Sequence, residues 1–169
     1  CMKKSSSIFN NSWKGKSFHS FTDSPFHKGT AILINDKLKY DLIDMHTDKD
    51  GRKVLINIRM EDQIYTFVSL YAPNQESLRV EFFKLARKWI KEFSKNEQNV
   101  FIGGDMNCCM FEFDRNTKTH LKDNSRKPLI DLCKLGSGCD AWTTLNNMTE
   151  GFTWFDPGRN IKSRIDYIF

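Results

Sequence analysis

The sequence predicts a mixed α/β or α+β domain with a sheet too rich in hairpins to be all parallel, and three observations carry that expectation. Short β-prone runs are separated by turn residues, from Thr30 to Leu70 and again after Gly151. One segment, Glu76 to about Lys95, has helical rather than strand periodicity. The chain has 169 residues, one domain's worth and long enough to bury about two thirds of its unfolded surface.

Thr30-Ala-Ile-Leu-Ile34 reads as a first strand and Leu38 to Thr47 as a second. Asp48-Lys-Asp-Gly51 is then a turn whose glycine takes a positive φ, followed by strands Lys53 to Met60 and Gln63 to Leu70 around Glu61-Asp62. Together these make a meander of three or four antiparallel strands, closed by Pro73, which lacks the N–H that a ladder needs. In the following helix Leu78, Phe82, Leu85, Ala86, Trp89, Ile90 and Phe93 recur at spacings of three and four and form its core-facing stripe. Asp114 to Lys127 is too hydrophilic for core and reads as a solvated loop carrying Arg115, Lys118, Lys122, Arg126 and Lys127. Pro128 then opens a short helix through Leu135 that Gly136 ends. Gly151 to Phe155 and Arg164 to Phe169 are the last strands, and no internal repeat is visible.

Composition excludes an integral membrane protein, because 28% of residues are charged and no apolar run approaches the ~20 residues of a spanning helix. Cys1-Met-Lys-Lys-Ser-Ser-Ser7 lacks the apolar stretch of a secretory signal, and a start at Cys points to a fragment. The five cysteines include no Cys-x-x-Cys pair, so reduced thiols in an intracellular protein, nuclear or cytoplasmic and not secreted, are the expectation. A net charge of +5 favours an anionic partner such as nucleic acid.

The most informative stretch is Val100-Phe-Ile-Gly-Gly-Asp-Met-Asn107. An apolar strand stops at two glycines, which permit close approach of backbone or ligand, and then presents Asp105 and Asn107. If the extended conformation continues, both polar side chains point one way and Met106 turns into the core. A carboxylate beside a neutral amide suits metal and phosphate chemistry.

Three separated segments belong with it: Ser69-Leu-Tyr-Ala-Pro-Asn74, Gly103-Gly-Asp-Met-Asn107, and Phe152-Thr-Trp154 followed by Ser163-Arg-Ile-Asp-Tyr167. Together they resemble the endonuclease/exonuclease/phosphatase superfamily. Their order and spacing, with Lys28-Gly-Thr-Ala-Ile-Leu-Ile34, look most like the endonuclease domain of LINE-type (non-LTR) retrotransposons. The resemblance covers nearly the whole chain, read as a single partial domain over residues 1–169. It implies a deoxyribonuclease-like four-layer fold, two β-sheets face to face flanked by helices, truncated at both ends. It also implies divalent-metal-dependent hydrolysis of a phosphodiester, with Mg²⁺ or Mn²⁺ suited to hard oxygen ligands.

Residue by residue, the resemblance implies that Asp105 orients or deprotonates the attacking water and that Asn107 holds phosphate or metal without adding charge. Both are candidate metal ligands. Tyr71 matches the tyrosine whose hydroxyl contacts the phosphate or the leaving oxygen, and Asp166 the aspartate that orients a catalytic histidine. Thr153 and Ser163 match positions that contact DNA phosphate or pack the site. Arg115, in the loop after Asn107, is a candidate to enter a groove or clamp a phosphate.

The family's early asparagine and metal-binding glutamate have no counterpart here, and none of His19, His27, His46 or His120 follows Asp166, where the catalytic imidazole belongs. Retained motifs with absent ends fit truncation better than decay. The expected activity of the parent protein is DNA nicking for target-primed reverse transcription, with DNA as partner, RNA through the parent polyprotein, no membrane, and no oligomeric state legible. The alternatives are a remnant that binds nucleic acid without cleaving it, and an abasic-site endonuclease or other phosphodiesterase of the superfamily.

Overall fold

The computed structural model describes residues 13–22, 29–96, 98–117 and 122–169; Lys28, Lys118, His27 and His120 therefore lie outside the described residues. In chain order the elements are strands β1 (Gly15–Phe21), β2 (Gly29–Asn35), β3 (Asp41–Thr47), β4 (Lys53–Met60) and β5 (Gln63–Tyr71), helix α1 (Glu76–Phe93), strand β6 (Val100–Asp105), helices α2 (Arg126–Cys133) and α3 (Ala141–Leu145), and strands β7 (Trp154–Asp156), β8 (Ile161–Ser163) and β9 (Asp166–Ile168). Five strands form one mixed sheet in the order β3-β4-β5-β6-β9, while β1-β2 and β7-β8 are separate antiparallel pairs. The meander β3-β4-β5 is antiparallel as expected; β6 then lies parallel to β5 after the α1 crossover, and β9 antiparallel to β6.

Period-2 alternation assigns the two faces of this sheet. Val54, Ile56 and Ile58 of β4 pack with Phe18 of β1 and Ile34 of β2. Leu55, Val68, Leu70 and Ile102 face the other way, onto Phe83, Ala86 and Ile90 of α1 and Leu129 and Leu132 of α2. Two sheets thus pack face to face, with helices on the outer face of the larger one. Because β4 is buried on both sides, Val54 to Ile58 does not alternate apolar with exposed polar residues, and its one polar member, Asn57, is fully buried and bonded to Phe93 O and Thr66 Oγ1.

Several elements differ from the sequence expectation. β2 leaves the meander and pairs with β1, a strand hidden in the sequence because Phe18 is its one buried apolar residue. The second expected strand begins at Asp41, after a turn that contains Leu38. The α1 stripe is rotated: Arg79, Phe83, Ala86 and Ile90 are buried, while Leu78 and Leu85 are 54% and 50% exposed. Arg79 reaches the core because its guanidinium pairs with Asp123 and donates to Ser125 Oγ at 3.0 Å. α2 begins at Arg126, so Pro128 sits inside the first turn, where a missing N–H costs no helical bond. The run expected as a strand from Gly151 becomes β7, paired with β8 in a short hairpin. The segment expected to be solvated throughout has a buried head, since Asp114 is only 1% exposed.

Candidate active site

Three neighbouring strands each place one polar side chain on the sandwich-side face of the sheet, in one row. Tyr71 at the end of β5 is in register with Asp105 at the end of β6, and Asp105 with Asp166 at the start of β9. Two backbone bonds carry this alignment past the strand ends: Ala72 N donates to Asp105 O at 2.8 Å, and Met106 N to Ile165 O at 2.7 Å. Met106 is fully buried, as expected. Gly104 is required by the parallel pairing, because its φ is +140° and a Cβ there would lie 1.9 Å from Leu70 O.

Asn107 joins the row by a turn and not by continued strand alternation, which corrects the sequence reading. Its φ is +47°, a left-handed conformation that asparagine tolerates better than most residues. The Asn107 backbone N–H donates to Asp105 Oδ1 at 2.8 Å, and its Nδ2 donates to Ala72 O at 2.9 Å. With the amide nitrogen committed to the end of β5, the carbonyl oxygen is the side chain's remaining ligating atom.

Burial pushes the Asp105 carboxyl above the usual carboxylate range, the Asn107 N–H pulls it back, and the negative charge of Asp166 raises it further. Two carboxylates facing each other beside an amide oxygen form a hard-oxygen donor set, which fits a divalent cation of the Mg²⁺ or Mn²⁺ type. No group of three or more His, Cys, Asp and Glu gathers among the described residues, and Asp105 and Asn107 stay the candidate ligands, with Asp166 beside them.

Thr153 acts on the backbone. Its Oγ1 accepts from the N–H groups of Ile165 and Asp166 at 3.2 and 3.3 Å, which holds the start of β9. Ser163 is 1% exposed and forms a bridge with Arg115, and both line a cavity of about 340 Å³ with Asn74, Asn107, Cys109 and Trp154. Of the three candidate substrate-binding residues, the structure therefore brings Arg115 and Ser163 to a hollow beside Asn107 and leaves Thr153 as a brace.

The sequence reading missed a buried clamp behind the row. Arg164 Nη2 lies 2.7 Å from Asp114 Oδ1 and its Nη1 2.7 Å from Asp140 Oδ2. Asp114 Oδ2 accepts from the Tyr167 hydroxyl at 2.8 Å and from the N–H groups of Met110 and Phe111 at 3.0 and 2.7 Å. Burial drives the Tyr167 phenol well above its ordinary pKa, and the Asp114 charge adds to the rise. Arg164 and Tyr167 flank Asp166 in the quoted Ser-Arg-Ile-Asp-Tyr run, which was the available signal; Asp114 and Asp140 carried none. Arg52, whose Nη1 donates to Tyr71 O at 2.9 Å, was also missed, because it stands alone in a turn.

Comparison with known proteins places this geometry. The model of the Endonuclease/Exonuclease/phosphatase family matches residues 5–169. Among solved structures, the endonuclease domain of TRAS1, a telomere-specific non-LTR retrotransposon, is similar over 91% of this chain and 64% of that one, at 17% identity and a TM-score of 0.64. An AP endonuclease from Archaeoglobus fulgidus matches over 90% of this chain and 65% of its own, at 17% identity and TM-score 0.69. The 3′ phosphatase NExo from Neisseria, bound to a product DNA hairpin, matches over 90% and 65%, at 15% identity and TM-score 0.65. At such identities the likeness is one of fold, and the chain spans just under two thirds of the length of each of these relatives. The family match over almost the whole sequence and the strand-end row of Tyr71, Asp105 and Asp166 agree: the chain belongs to the endonuclease/exonuclease/phosphatase family of phosphoester hydrolases.

Proposed function

We propose that this chain is the greater part of a DNA-nicking endonuclease of a LINE-type retroelement. The observation that carries the reading is the row Tyr71–Asp105–Asp166, closed by Asn107 through its bond to Asp105 Oδ1. Phosphodiester hydrolysis needs a base for the attacking water and donors for the charge that builds on phosphate oxygens. Asp105 is the group placed to orient or deprotonate the attacking water, its Oδ1 fixed by the Asn107 N–H at 2.8 Å. The Tyr71 hydroxyl donates to the phosphate or the departing 3′-oxygen. Asp166 holds the orienting carboxylate position, fixed in turn by Thr153 and by the clamp at Arg164. Asp105 and Asn107 would hold a divalent cation, which would supply the Lewis acidity that such a reaction uses. The cavity at Arg115 and Trp154 offers a cationic and an aromatic surface beside Asn107, as nucleic-acid contacts require. Four cysteines, at 108, 109, 133 and 139, are free, in keeping with an intracellular protein.

The test is a supercoiled-plasmid nicking assay with Mg²⁺ on the complete reading frame, wild type beside Asp105→Ala and Asn107→Ala. Each variant is expected to lose about 10²-fold or more in rate, the usual worth of a base or a pre-organised group. Equal nicking by all three removes the proposed site. A second reading, a chain that binds nucleic acid without cutting it, is favoured by a donor set of only two carboxylates and one amide among the described residues. Retention of supercoiled plasmid with no nicked product would support that one. An abasic duplex run in parallel distinguishes an abasic-site enzyme by its product.

A further inference from the structure

The turn between β3 and β4 is built around a single carboxylate. Asp48 Oδ1 accepts from the N–H groups of Arg52 and Lys53 at 2.8 and 3.0 Å, Ser20 Oγ donates to Asp48 O at 3.0 Å, and Gly51 supplies the positive φ of 67°. This bracing delivers Arg52 to the flank of Tyr71. The two residues exchange backbone and side-chain bonds: Tyr71 N donates to Arg52 O at 2.9 Å, Arg52 Nη1 donates to Tyr71 O at 2.9 Å, and the guanidinium carbon stands 5.1 Å from the centre of the phenol ring.

Guanidinium groups favour aromatic faces, and a planar fork with one nitrogen anchored presents its remaining N–H edge in a fixed direction. Arg52 is half-buried, yet no carboxylate among the described residues pairs with it, whereas buried Arg79 and Arg164 are each matched by aspartates. An uncompensated cation is thus held on one side of Tyr71, opposite the two carboxylates on the other. We infer that Arg52 is a phosphate-binding residue of this site, taking a backbone phosphate of the substrate strand next to the one that faces Asp105. Neither the family motifs quoted above nor the row itself contains it. The inference rests on the nucleic-acid reading of the site.

Binding of the 169-residue chain to a fluorescent duplex, in EDTA and over a series of salt concentrations, tests it. Arg52→Gln is expected to weaken binding about tenfold and to flatten the salt dependence by about one phosphate contact. Arg52→Lys keeps the charge and the slope but loses affinity, since an ammonium lacks the fork. Arg59→Gln, an exposed arginine at the other end of β4, serves as the control and binds as wild type. Wild-type affinity and slope in Arg52→Gln would overturn the inference while leaving the nucleic-acid reading intact. So would weaker binding with an unchanged slope, which assigns Arg52 to the support of Tyr71 alone. No salt-sensitive binding by wild type would overturn both readings. Circular dichroism of each variant confirms that the fold is retained, and Arg52→Lys keeps the comparison open should the glutamine variant unfold.

Discussion

Arg164 and Asp114, 50 residues apart in sequence, are joined three times: Nη2 and Nε reach Asp114 Oδ1 at 2.7 and 2.8 Å, and Arg164 N donates to Asp114 O at 2.7 Å. The arginine is 2% exposed, so Arg164→Met would leave the Asp114 and Asp140 carboxylates buried with no cation between them. The expected loss is about 3–5 kcal/mol, read by urea unfolding. A loss below about 1 kcal/mol would show the clamp to be dispensable.

Thr153→Val keeps the side chain's shape and removes the oxygen that accepts from Ile165 and Asp166. Stability is expected to fall by about 1 kcal/mol, and the amide signals of residues 165 and 166 to move in an NMR spectrum. Unmoved signals would mean that the hydroxyl does not hold β9.

Gly104→Ala brings a Cβ into Leu70 O and demands a φ of +140° from an L side chain. A cost of about 3 kcal/mol or more is expected, since either the strand ends part or the backbone strains. Gly103→Ala is the control, because a Cβ there meets its nearest atom at 3.6 Å. Equal melting temperatures for the two variants would contradict the parallel pairing of β5 and β6.

Burial pushes the Cys108 thiol up to about 12 and those of Cys109 and Cys133 to about 11. Folded values above the ordinary one of about 8.5 mean that the neutral thiols contribute stability fully at lower pH, and that it is lost as pH rises through about 11. At pH 8 iodoacetamide is therefore expected to label exposed Cys139 and spare these three until denaturant is added. Peptide mapping by mass spectrometry reads the result, and rapid native labelling at Cys108 would contradict it.

The strand-end residues were legible because chemistry and local pattern coincide in them. An apolar run stopping at Gly103-Gly104 announces both the end of β6 and the carboxylate after it, whereas Asp166 was legible only through the resemblance of Ser-Arg-Ile-Asp-Tyr to the family motif. The partners of those residues were not legible. Asp114 sits in a hydrophilic stretch, and only the long-range clamp to Arg164 and Tyr167 makes its burial tolerable. Asn107 was read on the right side of the sheet for the wrong local reason, since a left-handed turn and not a strand brings it to Asp105. β1 was hidden because Phe18 is its one buried apolar residue, and the α1 stripe rotated because tertiary pairing with Asp123 and Ser125 buries Arg79 in place of the more apolar Leu78.

The single-residue alternation of β9 has a consequence for how the molecule avoids a false pairing. Asp166 and Tyr167 point to opposite faces, so a slip of β9 by one residue against β6 would carry the phenol to the phosphate side and thrust the carboxylate among Ile102, Met106 and Phe169. A three-residue strand has little ladder of its own to resist that slip. The Tyr167 hydroxyl donates to Asp114 Oδ2 and to Arg164 O and accepts from the Met110 N–H, a set of bonds that only the native register brings together. A chain in which these bonds close has already aligned Asp105 with Asp166, and a slipped β9 would forfeit them.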